Sequence, residues 1–142
     1  MTINGRWRPT AGVSIDTDIE PDWQRTGYRY FPYAACQDGQ WWVVRANFCF
    51  PEHDFTTLFI DGAAVAEVTA AAGDGRPLVA SIGRLSMTHP QQRTAGLPLM
   101  RPAEARYVVG RLARFVDHGS EWGQPCDLCE FADRDPFAAA DT

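Results

Sequence analysis

The sequence predicts an α+β protein in which an antiparallel β-meander of about five strands packs against one main C-terminal helix. Two Asp-Gly pairs, Asp38-Gly39 and Asp61-Gly62, separate runs rich in aromatic and β-branched residues, which is typical of β-hairpins. An apolar stripe at helical spacing follows Pro102. The chain has 142 residues, enough for one domain with a core of its own.

The first hairpin, Tyr28 to Phe50, turns at Asp38-Gly39. A type I′ turn needs positive φ at both central residues, which Asp and Gly tolerate, so the turn fixes the register. It predicts that Cys36 faces Trp41. Side chains then alternate between two faces of the hairpin. The face expected to pack on the core carries Phe31, Tyr33, Ala35, Trp42, Val44, Ala46, Phe48 and Phe50.

The opposite face of the hairpin is aromatic and polar, with Tyr30, Trp41, Arg45 and Asn47 among its residues. This composition is enriched where proteins meet partners, so these four residues are the candidate partner-binding site. The alternative is that a helix or loop of the same chain covers this face. Hydrophobic patterning alone does not distinguish a second core from a docking face.

The meander is expected to span residues 28–86. Phe55 to Ile60 and Ala63 to Thr69 follow as strands, and the first and last strands of Tyr28 to Thr69 are predicted to form its edges. Leu78 to Leu85 is predicted to be a fifth strand. The polar segment 1–27 is expected to be irregular and to wrap the surface.

The main helix is predicted over residues 102–118, with Pro102 in its first turn and His118 before a terminating Gly119. Residues 120–142 are expected to be a coil tail. Three arginines, Arg106, Arg111 and Arg114, lie on the side expected to face water. The helix is expected to bury Val108, Leu112 and Phe115 against Phe31, Trp42, Val44 and Phe48.

Composition narrows the function and the location. A formal net charge of -5 and a pI near 5.0 argue against general affinity for nucleic acid or anionic membranes, which need concentrated positive charge. No apolar run is long enough to span a bilayer, and Met1 to Trp7 does not resemble a signal peptide. Four cysteines are too few for a secreted disulfide scaffold, so a cytoplasmic location is expected.

The sequence lacks the common catalytic motifs. It contains no Gly-x-Ser-x-Gly elbow, phosphate-binding loop or dinucleotide fingerprint. His53 lies between Glu52 and Asp54 and could be a base held by a carboxylate, but a polar turn between strands gives the same pattern. No catalytic residue is assigned, and a non-enzymatic function is favoured.

The sharpest local motif is Cys126-Asp127-Leu128-Cys129, because two thiolates at this spacing can bind one metal ion. Zinc needs two further ligands. Cys49 and His53, in a Cys-x3-His arrangement, would complete a four-ligand structural site. A thioredoxin-like redox motif is disfavoured because such a pair follows a strand, whereas this one follows a predicted helix. No other cofactor is expected.

The segment from Leu97 to Trp122 resembles the C-terminal part of some small bacterial immunity proteins, which neutralise toxins of polymorphic secretion systems. The likeness covers under a fifth of the chain, and Cys126 and Cys129 are not part of that pattern. The residues that carry it are Pro98, Pro102-Ala103-Glu104-Ala105, Phe115, Gly119 and Trp122. The resemblance implies an acidic protein that binds and blocks one toxin without catalysis, and it carries over no binding residues.

Together these observations favour a non-enzymatic cytoplasmic interaction protein that binds a partner protein. One alternative is a zinc-stabilised structural or regulatory module. The other is a small-molecule binder or enzyme with a site on the sheet face, which would need a pocket with convergent polar groups such as Arg45 and Asn47.

Overall fold

The computed structural model describes residues 5–48, 50, 52–127 and 135–140. Within these residues, six strands form one antiparallel sheet in the order β1-β6-β5-β4-β3-β2. The strands are β1 (Arg6–Pro9), β2 (Gln24–Arg25), β3 (Tyr33–Gln37), β4 (Gln40–Ala46), β5 (Thr56–Ile60) and β6 (Ala63–Thr69). The helices are α1 (Pro77–Gly83), α2 (Pro90–Arg93) and α3 (Pro102–Gly110), followed by 3₁₀ turns at Ala113–Phe115 and Ser120–Trp122. The predicted α+β class with an antiparallel sheet is confirmed.

The Asp-Gly turns set the hairpin geometry as the sequence predicts. Asp38 has φ of 51° and Gly39 has φ of 77°, so both central residues adopt the left-handed conformation. Across this turn Cys36 pairs with Trp41, which confirms the predicted register. The second turn, between β5 and β6, also has positive φ at both central residues, 51° at Asp61 and 84° at Gly62.

The N-terminal segment contributes two strands, so the prediction that residues 1–27 are irregular was wrong for this part. β1 pairs with β6, and β2 pairs with β3. The outer strands of the meander therefore are not the sheet edges. Their outward backbone groups pair with β1 and β2, which at four and two residues are too short for alternation to identify them as strands.

The segment predicted as a fifth strand is instead helix α1. A short continuous apolar run fits a buried strand and a buried helix equally well. Pro77 opens the helix, where its missing N–H costs nothing. Leu78, Val79 and Ile82 then face the sheet at helical spacing and are almost fully buried.

Both faces of the sheet are covered, each by a different helix. On one face α1 packs against Tyr33, Ala35, Trp42 and Val44. On the other face α3 packs through Ala105, Val108, Val109 and Leu112 against Phe31, Ala34, Val43 and Phe59. The predicted partners of the main helix were therefore wrong apart from Phe31, since Trp42, Val44 and Phe48 belong to the α1 side. Each face carries an apolar cluster, and alternation does not say which helix covers which.

The main helix is shorter than the predicted 102–118 because α3 ends at Gly110. Beyond it the backbone turns, and the carbonyl oxygens of Phe115 and Asp117 accept hydrogen bonds from the Arg45 side chain. The predicted coil tail also contains ordered contacts: Phe137 packs edge-on against Tyr28, with ring centroids 5.6 Å apart. No helix among the described residues is long and apolar enough to cross a membrane.

Candidate functional site

Two residues of the predicted partner-binding face are buried. Arg45 is 0% exposed and Asn47 is 2% exposed, so the expectation that they lie on a free surface was wrong. Tyr30 and Trp41 are half-buried and pack against the core under α3. The alternative, that a helix or loop of the same chain covers this face, is confirmed, because α3 and the turns that follow it cover the strands.

Arg45 is the centre of a buried polar network at one end of this face. Its five N–H donors all have acceptors, as a buried guanidinium requires. The carboxylate of Glu121 accepts two of these bonds, at 2.7 and 2.9 Å, and both side chains are 1% exposed. The remaining acceptors are Asn47 Oδ1 (2.8 Å), Thr57 Oγ1 (2.9 Å) and the carbonyl oxygens of Phe115 (2.8 Å) and, at a longer 3.4 Å, Asp117.

The network continues from Arg45 towards the surface through β6. Thr57 donates to Glu67 Oε2 at 2.9 Å, and Glu67 Oε1 lies 3.2 Å from His118 Nε2. The His118 ring stacks on the ring of His53, with centroids 3.9 Å apart and planes at 11°. Both histidines line a surface pocket of about 170 Å³, which Glu67 and Trp122 also line.

At the edge of this network, His53 contacts Cys126. His53 Nε2 lies 2.9 Å from Cys126 Sγ, although 73 residues separate them in the chain. His53 belongs to the loop between β4 and β5, whereas Cys126 follows the last 3₁₀ turn. The backbone N–H of Cys126 donates to the carbonyl oxygen of His118 at 2.9 Å, which fixes the segment in place.

The turn that presents Cys126 depends on Gly119. Gly119 has φ of 91°, a conformation that side-chain-bearing residues rarely adopt. A Cβ atom there would also approach the carbonyl oxygen of Gln124 to 2.6 Å. The glycine that was expected to end the main helix instead shapes the path towards Cys126.

Burial lowers the pKa of His53, and the neighbouring His118 acts in the same direction. Both effects favour the neutral imidazole. Of the four predicted metal ligands, the structure brings His53 and Cys126 together. Cys49 and Cys129 lie outside the described residues.

A second cluster of charge lines the same pocket. The carboxylate of Asp54 is 3% exposed and lies 3.8 Å from Arg6 and 3.3 Å from Arg8. Thr69 donates to Asp54 at 2.6 Å. This cluster joins β1 to the loop after β4, and the buried Asp54 carboxylate faces two largely exposed guanidinium groups.

A larger cavity, of about 650 Å³, lies away from this network. Trp23, Ser81 and Leu97 are among its lining residues, and the ion pair between Glu20 and Arg84 lies on its wall. Trp23 Nε1 donates to Ser81 Oγ at 3.0 Å. The convergent polar groups predicted for a small-molecule site, Arg45 and Asn47, are buried and bonded elsewhere, so this cavity is not the predicted sheet-face site.

The exposed side of the main helix forms a distinct surface. We define the α3 outer face as five exposed residues on α3, at its two caps and in the 3₁₀ turn that follows: Arg101, Arg106, Tyr107, Arg111 and Arg114. Tyr107 is 62% exposed. Among the described residues, the other large hydrophobic side chains that are exposed, Phe50, Leu99 and Trp122, are less exposed than Tyr107. The arginine row is visible in the sequence, but sequence reasoning missed Tyr107, because one aromatic residue outside the buried stripe gives no periodic signal.

No protein-family model matches the chain, and the searches of curated proteins and of solved structures found no matching protein or structure. The function of these sites therefore has to be inferred from their geometry and chemistry.

Proposed function

We propose that this protein is a non-enzymatic binding protein that captures an acidic partner protein through the α3 outer face. The observation that carries the proposal is the exposed Tyr107 within a segment that carries four exposed arginines, on a chain that is acidic as a whole. Tyrosine and arginine are enriched among the residues that dominate binding energies at protein interfaces.

The charge of this face differs from that of the rest of the chain. Residues 101–114 contain four arginines and one glutamate, a net charge of +3, whereas the whole chain carries -5. The remaining residues therefore carry -8. A local basic face on an acidic protein attracts an acidic patch of matching size, while the surrounding negative charge opposes extended polyanions.

The arginines of this face are partly preorganised. The Arg106 guanidinium lies 4.1 Å from the centroid of the Phe137 ring, and that of Arg114 lies 4.6 Å from the Phe115 ring. Arg111 forms an exposed ion pair with Asp61 at 3.2 Å. A stacked guanidinium loses less rotamer entropy on binding and still has N–H donors for a carboxylate.

The resemblance to immunity proteins extends from Leu97 to Trp122 and so includes α3. For this reason a toxin is the first class of acidic partner to test. We also propose that the protein acts in the cytoplasm, where its free cysteines Cys36 and Cys126 would remain reduced.

Affinity capture from extracts of the native host tests this proposal. The wild-type chain is compared with Tyr107→Ala and with the double variant Arg106→Glu/Arg114→Glu. Arg93→Glu is the matched control, because Arg93 is an exposed arginine on α2, outside this face. Circular dichroism confirms that each variant is folded.

We expect the wild type and the Arg93→Glu control to retain the same acidic protein, and both α3 variants to lose it. Because the attraction is electrostatic, retention should weaken as salt is raised. Equal capture by all four proteins, or capture of nothing by the wild type, would refute the proposal.

A further inference from the structure

We propose that His53 and Cys126 are two ligands of a structural Zn²⁺ site that fastens the C-terminal segment to the sheet. Thiolate sulfur and imidazole nitrogen are the preferred ligands of structural zinc. The contact joins the loop between β4 and β5 to the segment that follows the last 3₁₀ turn. The inference is independent of the α3 outer face.

The observed separation is close to the geometry that zinc requires. With Zn–S near 2.3 Å and Zn–N near 2.1 Å, tetrahedral coordination places the two ligand atoms about 3.6 Å apart. His53 Nε2 and Cys126 Sγ lie 2.9 Å apart. An opening of about 0.7 Å is within the reach of side-chain rotation, so the backbone can stay as it is. Both residues are partly exposed, which gives an ion access.

A competing cluster is less suited to a cation. Ligand atoms of Glu67, His118 and Glu121 lie within 4.8 Å of one another. However, both carboxylate oxygens of Glu121 accept hydrogen bonds from Arg45. A metal ion there would lie close to a buried guanidinium and be repelled by its charge.

His118 cannot share an ion with His53 while their rings are stacked. A metal ion lies near the plane of each imidazole that binds it, along the nitrogen lone pair. The two rings are nearly parallel with centroids 3.9 Å apart, so an ion in the plane of one ring lies well outside the plane of the other. His118 instead contacts Glu67 and packs the face of its ring against that of His53.

A catalytic thiolate paired with a charged imidazolium is the main alternative. That chemistry needs His53 to be protonated at neutral pH. The two readings differ in whether a metal ion binds in tetrahedral geometry, which the titration described below measures. A neutral imidazole is the form that binds metal.

The sequence offers further ligands at spacings common in zinc sites. Cys129 follows Cys126 by three residues, and Cys49 precedes His53 by four. Both cysteines lie outside the described residues, so the inference rests on the two ligands in contact. Their participation remains a prediction from the sequence.

The test uses the full chain, reduced and stripped of metal, then titrated with Zn²⁺ and with Co²⁺. Native mass spectrometry gives the number of bound ions. The visible spectrum of the Co²⁺ form reports tetrahedral coordination, and its near-ultraviolet sulfur band reports thiolate ligands. Cys126→Ser and His53→Ala are compared with Cys36→Ser, because Cys36 is an exposed cysteine on β3. Circular dichroism of each metal-free variant shows whether it folds.

We expect one ion per chain, a sulfur band, and affinity more than about 100-fold weaker in both ligand variants, since losing only an outer-shell partner already costs 10–100-fold. Cys36→Ser should bind as the wild type does. If either ligand variant fails to fold, Zn²⁺ protection of Cys126 against alkylation in the wild type replaces it as the readout. The inference is overturned if no ion binds, if the ligand variants bind normally, or if metal leaves alkylation of Cys126 unchanged.

Discussion

The guanidinium of Arg45 and the carboxylate of Glu121 form a bidentate ion pair with N–O distances of 2.7 and 2.9 Å, across 76 residues of sequence. The pair is almost fully excluded from solvent. It connects β4 to the last 3₁₀ turn, the segment that leads to Cys126. The pair therefore links the sheet, the covering turns after α3 and the proposed metal site.

Removing one partner of this pair should destabilise the fold strongly. Arg45→Met leaves the Glu121 carboxylate buried without a counter-charge, and we expect a loss of about 3–5 kcal/mol in the free energy of unfolding. Urea denaturation measures it. Arg84→Met is the control, because its ion pair with Glu20 is exposed on both sides and should contribute less than about 1 kcal/mol. Similar losses of stability in the two variants would contradict the conclusion that the Arg45–Glu121 pair is buried and the Arg84–Glu20 pair is exposed.

The Thr57 hydroxyl should contribute more to the free energy of unfolding than the hydroxyl of its neighbour Thr56. Thr57 Oγ1 donates to Glu67 and accepts from Arg45 and Asn47, so Thr57→Val removes three bonds inside the network. We expect a cost of about 1–3 kcal/mol. Thr56 Oγ1 makes one bond, to the carbonyl oxygen of Val68, and Thr56→Val should cost about 1 kcal/mol or less. Thermal denaturation of the two valine variants gives the comparison, and equal stability would refute it.

Alanine substitutions at two helix glycines, Gly83 and Gly110, should change the stability of the fold in opposite directions. A Cβ atom at Gly83 would lie 2.3 Å from the backbone carbon of Ala71, so Gly83→Ala should destabilise by about 1–3 kcal/mol despite its better helix propensity. At Gly110 the nearest atom, in Phe137, is 3.9 Å away, and Gly110→Ala should stabilise by up to about 1 kcal/mol. Chemical denaturation distinguishes these signs. Stabilisation by Gly83→Ala would show that α1 does not approach the end of β6 this closely.

Protonation of the Asp74 carboxylate should lower the free energy of unfolding in acid. The hydrogen bonds from the Arg76 side chain lower the pKa of Asp74 from 3.8 to about 2, because they favour the carboxylate. A pKa that is lower in the folded state means that the stabilisation is present above pH 4 and is lost as the pH falls towards 2. The full shift corresponds to about 2.5 kcal/mol. Since Arg76 is 37% exposed, solvent screening should reduce it to about 1–2 kcal/mol.

Asp74→Asn should flatten this part of the stability curve, measured by urea denaturation between pH 2 and pH 5. Arg76→Gln should have the same effect, because it removes the cation that favours the carboxylate. An unchanged slope in both variants would assign the acid sensitivity to other carboxylates.

Local signals in the sequence were sufficient for several features. The turn at Asp38-Gly39 determined the hairpin register, because two positive φ values leave the chain few alternatives. The spacing of Ala105, Val108 and Leu112 identified the buried stripe of α3 correctly. The sequence also pointed to His53 and Cys126 as potential partners from the chemistry of their side chains, although the motif did not show that they touch.

By itself, then, the sequence determined the class of fold, the hairpin register and the buried stripe of the main helix, since these depend on neighbouring residues. The tertiary structure decided that the run after Pro77 is a helix, that α3 covers the face carrying Arg45, and that Glu121 and Cys126 meet residues more than 70 positions away. Each face of the sheet carries an apolar cluster on which a helix can pack, although the face under α3 also carries the Arg45 network, so patterning alone does not assign the helices. Only the sum of long-range packing and the need to pair a buried charge selects one arrangement.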